Sequence, residues 1–381
     1  MGLRTLRHKL TRRAAAAAAL LFVALMTSCG IVGPSGSGTR PFSMGFTPTP
    51  HARTTQALYA AWDRIRADGD LAVIHYDDGV PWSEALIGAF GSYPLDFKDG
   101  IEFNEQQLAL TPGGHEVLVA VTPISFLRND LAGYPGTGEL PSPWDTYRFD
   151  DPDVIEAFTN HCEFMLDTYD PDFFCYGIEV NILRWNSPDL WDDFVGLCAA
   201  VYPTLKSEYP DVLLFLSFHA DTYFSAVVDQ ESAIDDVLPY TDVMALSGYP
   251  FSRPLEDPDF LRFDYFSALA DLAPGKPFAV AETGWAAEDV TSPYPISIDA
   301  TETDQAEYVY RLMDECIFLD AIFVNWFVSR DYDEWWDDEL QFLPYAYILR
   351  LWRDCGLYRG DGTQRPSLSA WYQYLALQRE F

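Results

Sequence analysis

Eight short apolar runs recur along this chain, separated mostly by stretches with helical spacing. Six occupy residues 43–47, 71–76, 117–122, 212–219, 243–249 and 321–327, and the stretches 173–181 and 278–285 hold the other two. Near-continuous runs without alternating polarity belong to strands buried on both faces, as in a parallel sheet. Between them, Leu58, Ala61, Trp62 and Ile65 share one helical face, as do Ile155, Phe158, Cys162 and Leu166 after the start signal Asp151-Pro152. Strand followed by helix, eight times over, predicts an α/β fold: a (β/α)8 TIM barrel over residues 43–381. It should be a single catalytic domain with long βα loops, because no internal repeat or second boundary interrupts the pattern. A final helix is expected near residues 345–353. The long segment 123–150, rich in Gly, Pro and aromatics, reads as a functional loop.

In such a barrel the chemistry sits at the C-terminal ends of the strands. Two strands end on an acid, in Gly177-Ile178-Glu179-Val180-Asn181 and in Ala281-Glu282-Thr283-Gly284-Trp285. A carboxylate at the end of an apolar strand must find partners or water, since burying it unpaired is costly. Strand-end acids also serve as caps and salt-bridge partners. Here strands four and seven face each other across the barrel, so their glutamates can converge over its axis. Retaining glycosidases need two carboxyl groups about 5–5.5 Å apart, one as acid/base and one as nucleophile. The same rim collects His75, Asn181, Trp185, His219, Tyr249, Trp285 and Trp326 as candidate substrate-binding residues.

These motifs, in this order, resemble glycoside hydrolase clan A over essentially the whole chain after residue 42. The resemblance implies Glu179 as acid/base on strand four and Glu282 as nucleophile on strand seven. The Glu282 motif is similar to those of family 53 endo-β-1,4-galactanases and family 17 endo-β-1,3-glucanases. Tyr249 matches the strand-six aromatic that hydrogen-bonds the nucleophile, and Trp326 the strand-eight Trp that floors the sugar subsite. The closing stretch 355–368 is similar to the clan's common ending. Two departures stand out: Ile178 occupies the place of the clan's sugar-binding Asn, and the strand-two Arg is missing. The expected activity is retaining, endo-acting hydrolysis of a β-linked polysaccharide such as galactan or glucan. The alternative is a non-catalytic carbohydrate-binding protein on a degenerate barrel. Neither reading requires an organic cofactor or a metal.

The first 29 residues carry Arg4, Arg7, Lys9, Arg12 and Arg13, no acid, and an apolar run from residue 14 to 26. This is a secretory signal, too short in its apolar part to span a membrane comfortably. Met26-Thr27-Ser28-Cys29-Gly30 looks like a bacterial lipobox with Cys29 as the lipidated residue, followed by a flexible tether over 30–42. The expectation is an exported bacterial lipoprotein, anchored by its N-terminal lipid at the outer membrane or cell surface, and monomeric. With 24 basic and 58 acidic residues the net charge is −34, which disfavours nucleic acid and suits a neutral glycan. Only four lysines occur, Lys9, Lys98, Lys206 and Lys276, a balance that fits a salty habitat. Cys162, Cys175, Cys198, Cys316 and Cys355 have no zinc-ligand spacing. Pairs 162–198 and 316–355 would fit the count, as would five buried thiols.

The two glutamates have opposite tasks, so their acidities should differ. Tyr249 should hold Glu282 ionised, and the charge of Glu282 should keep Glu179 protonated.

Overall fold

The computed structural model describes residues 38–380, apart from 225–228, 253–257, 259–260 and 292–296. The signal, Cys29 and the tether up to residue 37 lie outside the described residues. Eight parallel strands close into a barrel. They are β1 (Ser43–Phe46), β2 (Leu71–His75), β3 (Glu116–Ala120), β4 (Phe173–Gly177), β5 (Leu213–His219), β6 (Met244–Gly248), β7 (Phe278–Thr283) and β8 (Phe323–Trp326). Each neighbours its successor, and β8 pairs with β1 in continuous register from Phe323↔Ser43 to Trp326↔Phe46.

The helices that follow them are α1 (Thr55–Asp68), α2 (Leu95–Ala109), α3 (Pro152–Tyr169), α4 (Trp191–Glu208), α5 (Gln230–Val237), α6 (Ser267–Ala270), α7 (Glu302–Phe318) and α8 (Pro366–Leu375). Local chemistry sets their starts. The Thr54 hydroxyl accepts from the Ala57 N–H at the head of α1, Pro152 opens α3, and Thr301 with Asp304 forms a capping box on α7. The helix expected near 345–353 exists as Ala346–Trp352 but belongs to the loop after β8; the barrel's eighth helix is α8.

Two layers of apolar side chains result. Leu71, Val73, Leu118, Phe173, Phe215, Ala245, Ala279 and Phe323 fill the barrel interior, and a larger cluster packs helices on strands. All five described cysteines are buried free thiols, so neither expected disulfide forms. The tether is shorter than expected, because Thr39–Arg40 already pairs with Gln378–Arg379 and Phe42 is fully buried. Among the described residues, no helix is long and apolar enough to cross a membrane.

Candidate active site

Glu179 sits two residues past β4, where the chain turns sharply. Its φ of 51° lies in the left-handed region, a conformation that is costly for a side-chain-bearing residue and clusters at functional sites. Neighbouring strands hold it there. Its N–H donates to Ser217 Oγ on β5 (2.8 Å), and its Oε1 accepts from Ser247 Oγ on β6 (2.7 Å). Its Oε2 lies 3.6 Å from Arg128 Nη2.

Glu282 reaches the same mouth from β7. The register against β6 steps from Leu246↔Val280 to Ser247↔Glu282, an irregularity of the kind that re-aims a side chain. Glu282 Oε1 accepts from the Tyr249 hydroxyl at 2.5 Å, and its Oε2 is 3.8 Å from His75 Nδ1. Gly284 makes this possible: a Cβ there would come within 2.7 Å of Phe327 O and 3.3 Å of Tyr249 Cε1. Both glutamate side chains are 16% exposed, buried enough to feel a low dielectric yet still reachable.

The charges of the mouth are three carboxyls and one guanidinium. Arg128 forks onto Asp77 at 2.8 and 2.6 Å and presents its other flank to Glu179. Burial works against the Arg128 charge, but Asp77 and Glu179 more than offset it. Burial likewise pushes Glu179 up, and His219, Arg128 and the Ser247 hydroxyl outweigh it, so the carboxyl ends below the usual range. Glu282 goes the other way. Burial and then the charge of Glu179 push it up to about 8, with the Tyr249 hydrogen bond offsetting only part. Glu282 is thus pushed above and Glu179 held below the usual carboxylate range, the reverse of the order expected from the two tasks. The Tyr249 hydroxyl and Arg128 offset only part of the burial of Glu282, and burial lowers the neighbouring His75.

The sequence-derived residues fall into two groups. His75, His219 and Tyr249 do stand beside the carboxyls at the ends of β2, β5 and β6. His219 Nδ1 accepts from the Thr222 N–H (3.2 Å), which leaves its other nitrogen as donor, 3.9 Å from Asp221. Trp185 is half-buried on the helix Asn181–Asn186 after β4.

Three assignments need correcting. Asn181 is fully buried, and its amide braces the strand ends, accepting from His219 N (2.7 Å) and donating to His219 O (3.1 Å) and Gln230 Oε1 (2.8 Å). Trp285 is buried between Phe251 and Tyr308. Trp326 is fully buried against Tyr308 and Trp371, its indole donating to Cys355 O (2.9 Å). All three are structural; Trp326 is so because side chains along a strand alternate between the barrel interior and the helix layer. Trp82 is structural too, donating to Ala132 O (2.7 Å).

The residues missed matter more. Arg128, from the loop after β3, supplies a buried cation that strand two lacks; the length of that loop was the only signal. Ile178, in the clan's Asn position, packs inside the barrel. The aromatic packed on Tyr249 is Trp352, 5.4 Å from Tyr249 and 5.8 Å from Phe327 between ring centroids. Among the described residues its buried indole nitrogen has no hydrogen-bond partner. Under the carboxyls, a cavity with room for about one water is lined by Ile178, Ser217, Ser247 and Asn325.

A closed (β/α)8 barrel with paired glutamates at the mouths of β4 and β7 defines the class of this protein. Its fold is shared with solved GH5_18 enzymes. One, from Bifidobacterium longum subsp. longum in complex with Manβ1-4GlcNAc, superimposes with TM-score 0.61 at 16% identity over 89% of this chain and 80% of that one. A second, from Streptomyces cattleya in complex with GlcNAc, gives 0.60 at 14% over 88% and 80%. The exo-β-1,4-mannosidase Op5Man5 from Opitutaceae bacterium strain TAV5 gives 0.61 at 14%, over 91% of this chain and 63% of that one. At these identities the likeness is one of fold. The expected (β/α)8 barrel is borne out, shared with GH5_18 structures where the motifs pointed to families 53 and 17. No protein-family model matches the chain, and no curated protein matches it in sequence.

Proposed function

We propose that this protein is a retaining glycoside hydrolase acting on β-linked mannosides. The observation that carries the reading is the placement of Glu179 and Glu282 at the rims of opposite strands, each partly buried and each held by hydrogen bonds. Manβ1-4GlcNAc in one structural neighbour and β-1,4-mannosidase activity in another support a mannoside. That choice replaces the galactan or glucan suggested by the motifs.

Glu179 donates its proton to the glycosidic oxygen while a Glu282 oxygen attacks the anomeric carbon and the leaving group departs. Glu179 then takes a proton from water, whose oxygen attacks the same carbon and releases Glu282. The reacting form is the one with the proton on Glu179. Substrate favours it, because the sugar's developing positive charge stabilises an ionised Glu282 and its leaving oxygen accepts from Glu179. Trp352 and Phe327 offer the apolar face on which a sugar ring can stack.

Ile178 in the Asn position is the observation that favours a second reading, binding without hydrolysis. Hydrolysis of β-mannobiose and Manβ1-4GlcNAc, measured beside galactan and β-glucan with Glu282→Gln as control, separates the two. Turnover of the mannosides lost in Glu282→Gln is expected. Binding with no turnover would leave the second reading standing. The leader and Cys29 support export as an N-terminally lipidated protein at the outer membrane or cell surface. Cys29→Ser should shift it from the membrane to the soluble fraction.

A further inference from the structure

Neighbouring loops touch at the rim of any barrel, but here the loops after β3 and β8 also touch, although β1 and β2 stand between their strands. Phe126, in the turn 125–130, packs on Tyr345 of the loop after β8, ring centroids 5.2 Å apart. Hydrogen bonds hold the turn in shape. Ser125 N donates to Asp130 O (2.9 Å) and Arg128 N to Ser125 O (2.7 Å), while Asn186 and Ser187 after β4 donate to Leu127 O and Asn129 O at 2.9 and 2.6 Å. The far side is tied down as well. Trp335 N donates to His51 O of the loop after β1 (3.2 Å), and Arg53 of that loop pairs with Glu339 (2.5 Å). The Arg128 guanidinium forks from the same turn onto Asp77, after β2, at 2.8 and 2.6 Å, with 7% of its side chain exposed. A channel wide enough for a sugar would leave that side chain wet, so none runs past it.

We propose that the Phe126–Tyr345 bridge closes one end of the site, so that the protein removes single mannose units from the non-reducing ends of β-linked chains. The proposal rests on the reading of Glu179 as acid and Glu282 as nucleophile. Those two roles orient the substrate. The glycosidic oxygen must lie against Glu179, just past β4, and the anomeric carbon against Glu282 on β7. The leaving part of the chain therefore extends on the Glu179 side. The sugar that is attacked lies on the other, toward β8 and β1, where Phe327 and Trp352 stand. In a 1,4-linked chain the next sugar toward the non-reducing end hangs on the 4-hydroxyl, across the ring from the anomeric carbon. It would run on into the sector of β1 and β2. That is the sector the bridge spans and the Arg128–Asp77 pair fills. A terminal hydroxyl fits there and a further sugar does not. Cutting within a chain needs a groove open on both sides of the carboxyls, and here one side is shut.

The test uses β-1,4-mannotetraose labelled at its reducing end, with and without a benzyl ether on the terminal 4-hydroxyl. The first products from the wild type should be mannose and labelled mannotriose alone. The capped substrate should be cut more slowly by roughly 100-fold, since the cap meets the closed end. Phe126→Ala combined with Tyr345→Ala removes the bridge and should speed cleavage of the capped substrate by roughly tenfold. Labelled mannose or mannobiose among the first wild-type products would overturn the proposal, whether or not the double variant folds. A folded double variant that discriminates as strongly as wild type would take the closure away from the bridge. Binding is read separately by calorimetry on Glu282→Gln, where capped mannotriose should bind more weakly than uncapped by roughly tenfold. That preference in a protein whose wild type cleaves no glycoside would sink the hydrolase reading alone. Equal binding beside normal turnover would sink the closed end alone.

Discussion

Ser247 is the register partner of Glu282 on the neighbouring strand, yet its hydroxyl donates to Glu179. One residue of β6 thus fixes the position of both carboxyls, and a shift of that strand moves them together. Ser247→Ala removes a donor that favours the Glu179 anion, so Glu179 should bind its proton more readily. The acid limb of kcat/KM should move upward toward the ordinary carboxylate range. Folding should be little changed, at a cost of about 1 kcal/mol. An acid limb identical to wild type would show that the hydroxyl does nothing for the ionised form.

Glu282→Gln should lower turnover by roughly 10⁴-fold or more, since the proposed nucleophile is lost while shape is kept. It should also change the pH dependence of stability. The folded state holds the Glu282 proton up to about 8, whereas the unfolded chain releases it near 4.5. Over that window rising pH favours unfolding of the wild type, because the unfolded chain releases a proton that the folded state still holds. Glutamine has no such proton to lose. The variant should gain on wild type between pH 5 and 8 by an amount on the order of a few kcal/mol, read from urea midpoints at both values. Parallel midpoints would contradict the burial of this carboxyl.

The specificity constant should follow a bell in pH. In the proposed mechanism the singly protonated pair is the active form, so the alkaline limb should fall near 8 and the acid limb below the usual glutamate value. Glu179→Ala should slow substrates with poor leaving groups by roughly 10²–10⁴-fold and activated aryl mannosides far less. Equal losses on both would remove Glu179 from the role of acid.

Two tryptophans should respond in opposite ways. Trp352→Ala removes an aromatic beside Tyr249 and should raise KM roughly tenfold with little effect on stability. Trp326→Ala empties a fully buried position and should cost about 3–5 kcal/mol while leaving KM of the folded protein alone. Thermal unfolding and steady-state kinetics on the pair distinguish a sugar platform from a core residue.

All eight strands were legible because burial on both faces leaves runs that need no alternation, and the two glutamates were legible as acids interrupting such runs. What the sequence withheld follows from geometry. Trp285 and Trp326 sit at strand ends like true rim residues, but one residue of register decides whether a side chain faces the mouth or the helices. Arg128 lies 51 positions from Asp77 in the chain, and only the folded loop after β3 brings them together.

The pairing of Thr39–Arg40 with Gln378–Arg379 has a topological consequence. Gln378 N donates to Gly38 O (3.2 Å) and Glu380 N to Arg40 O (2.9 Å), while Arg40 and Arg379 reach Asp70 and Glu116 at the starts of β2 and β3. Both ends of the domain therefore meet under the barrel, on the pole opposite the carboxyls. Joined there by a short linker, the chain would be a ring of eight βα units with no preferred beginning. Circular permutants opened in the short turns of that lower pole should rebuild the same mouth, because no contact at the glutamates depends on which unit is synthesised first.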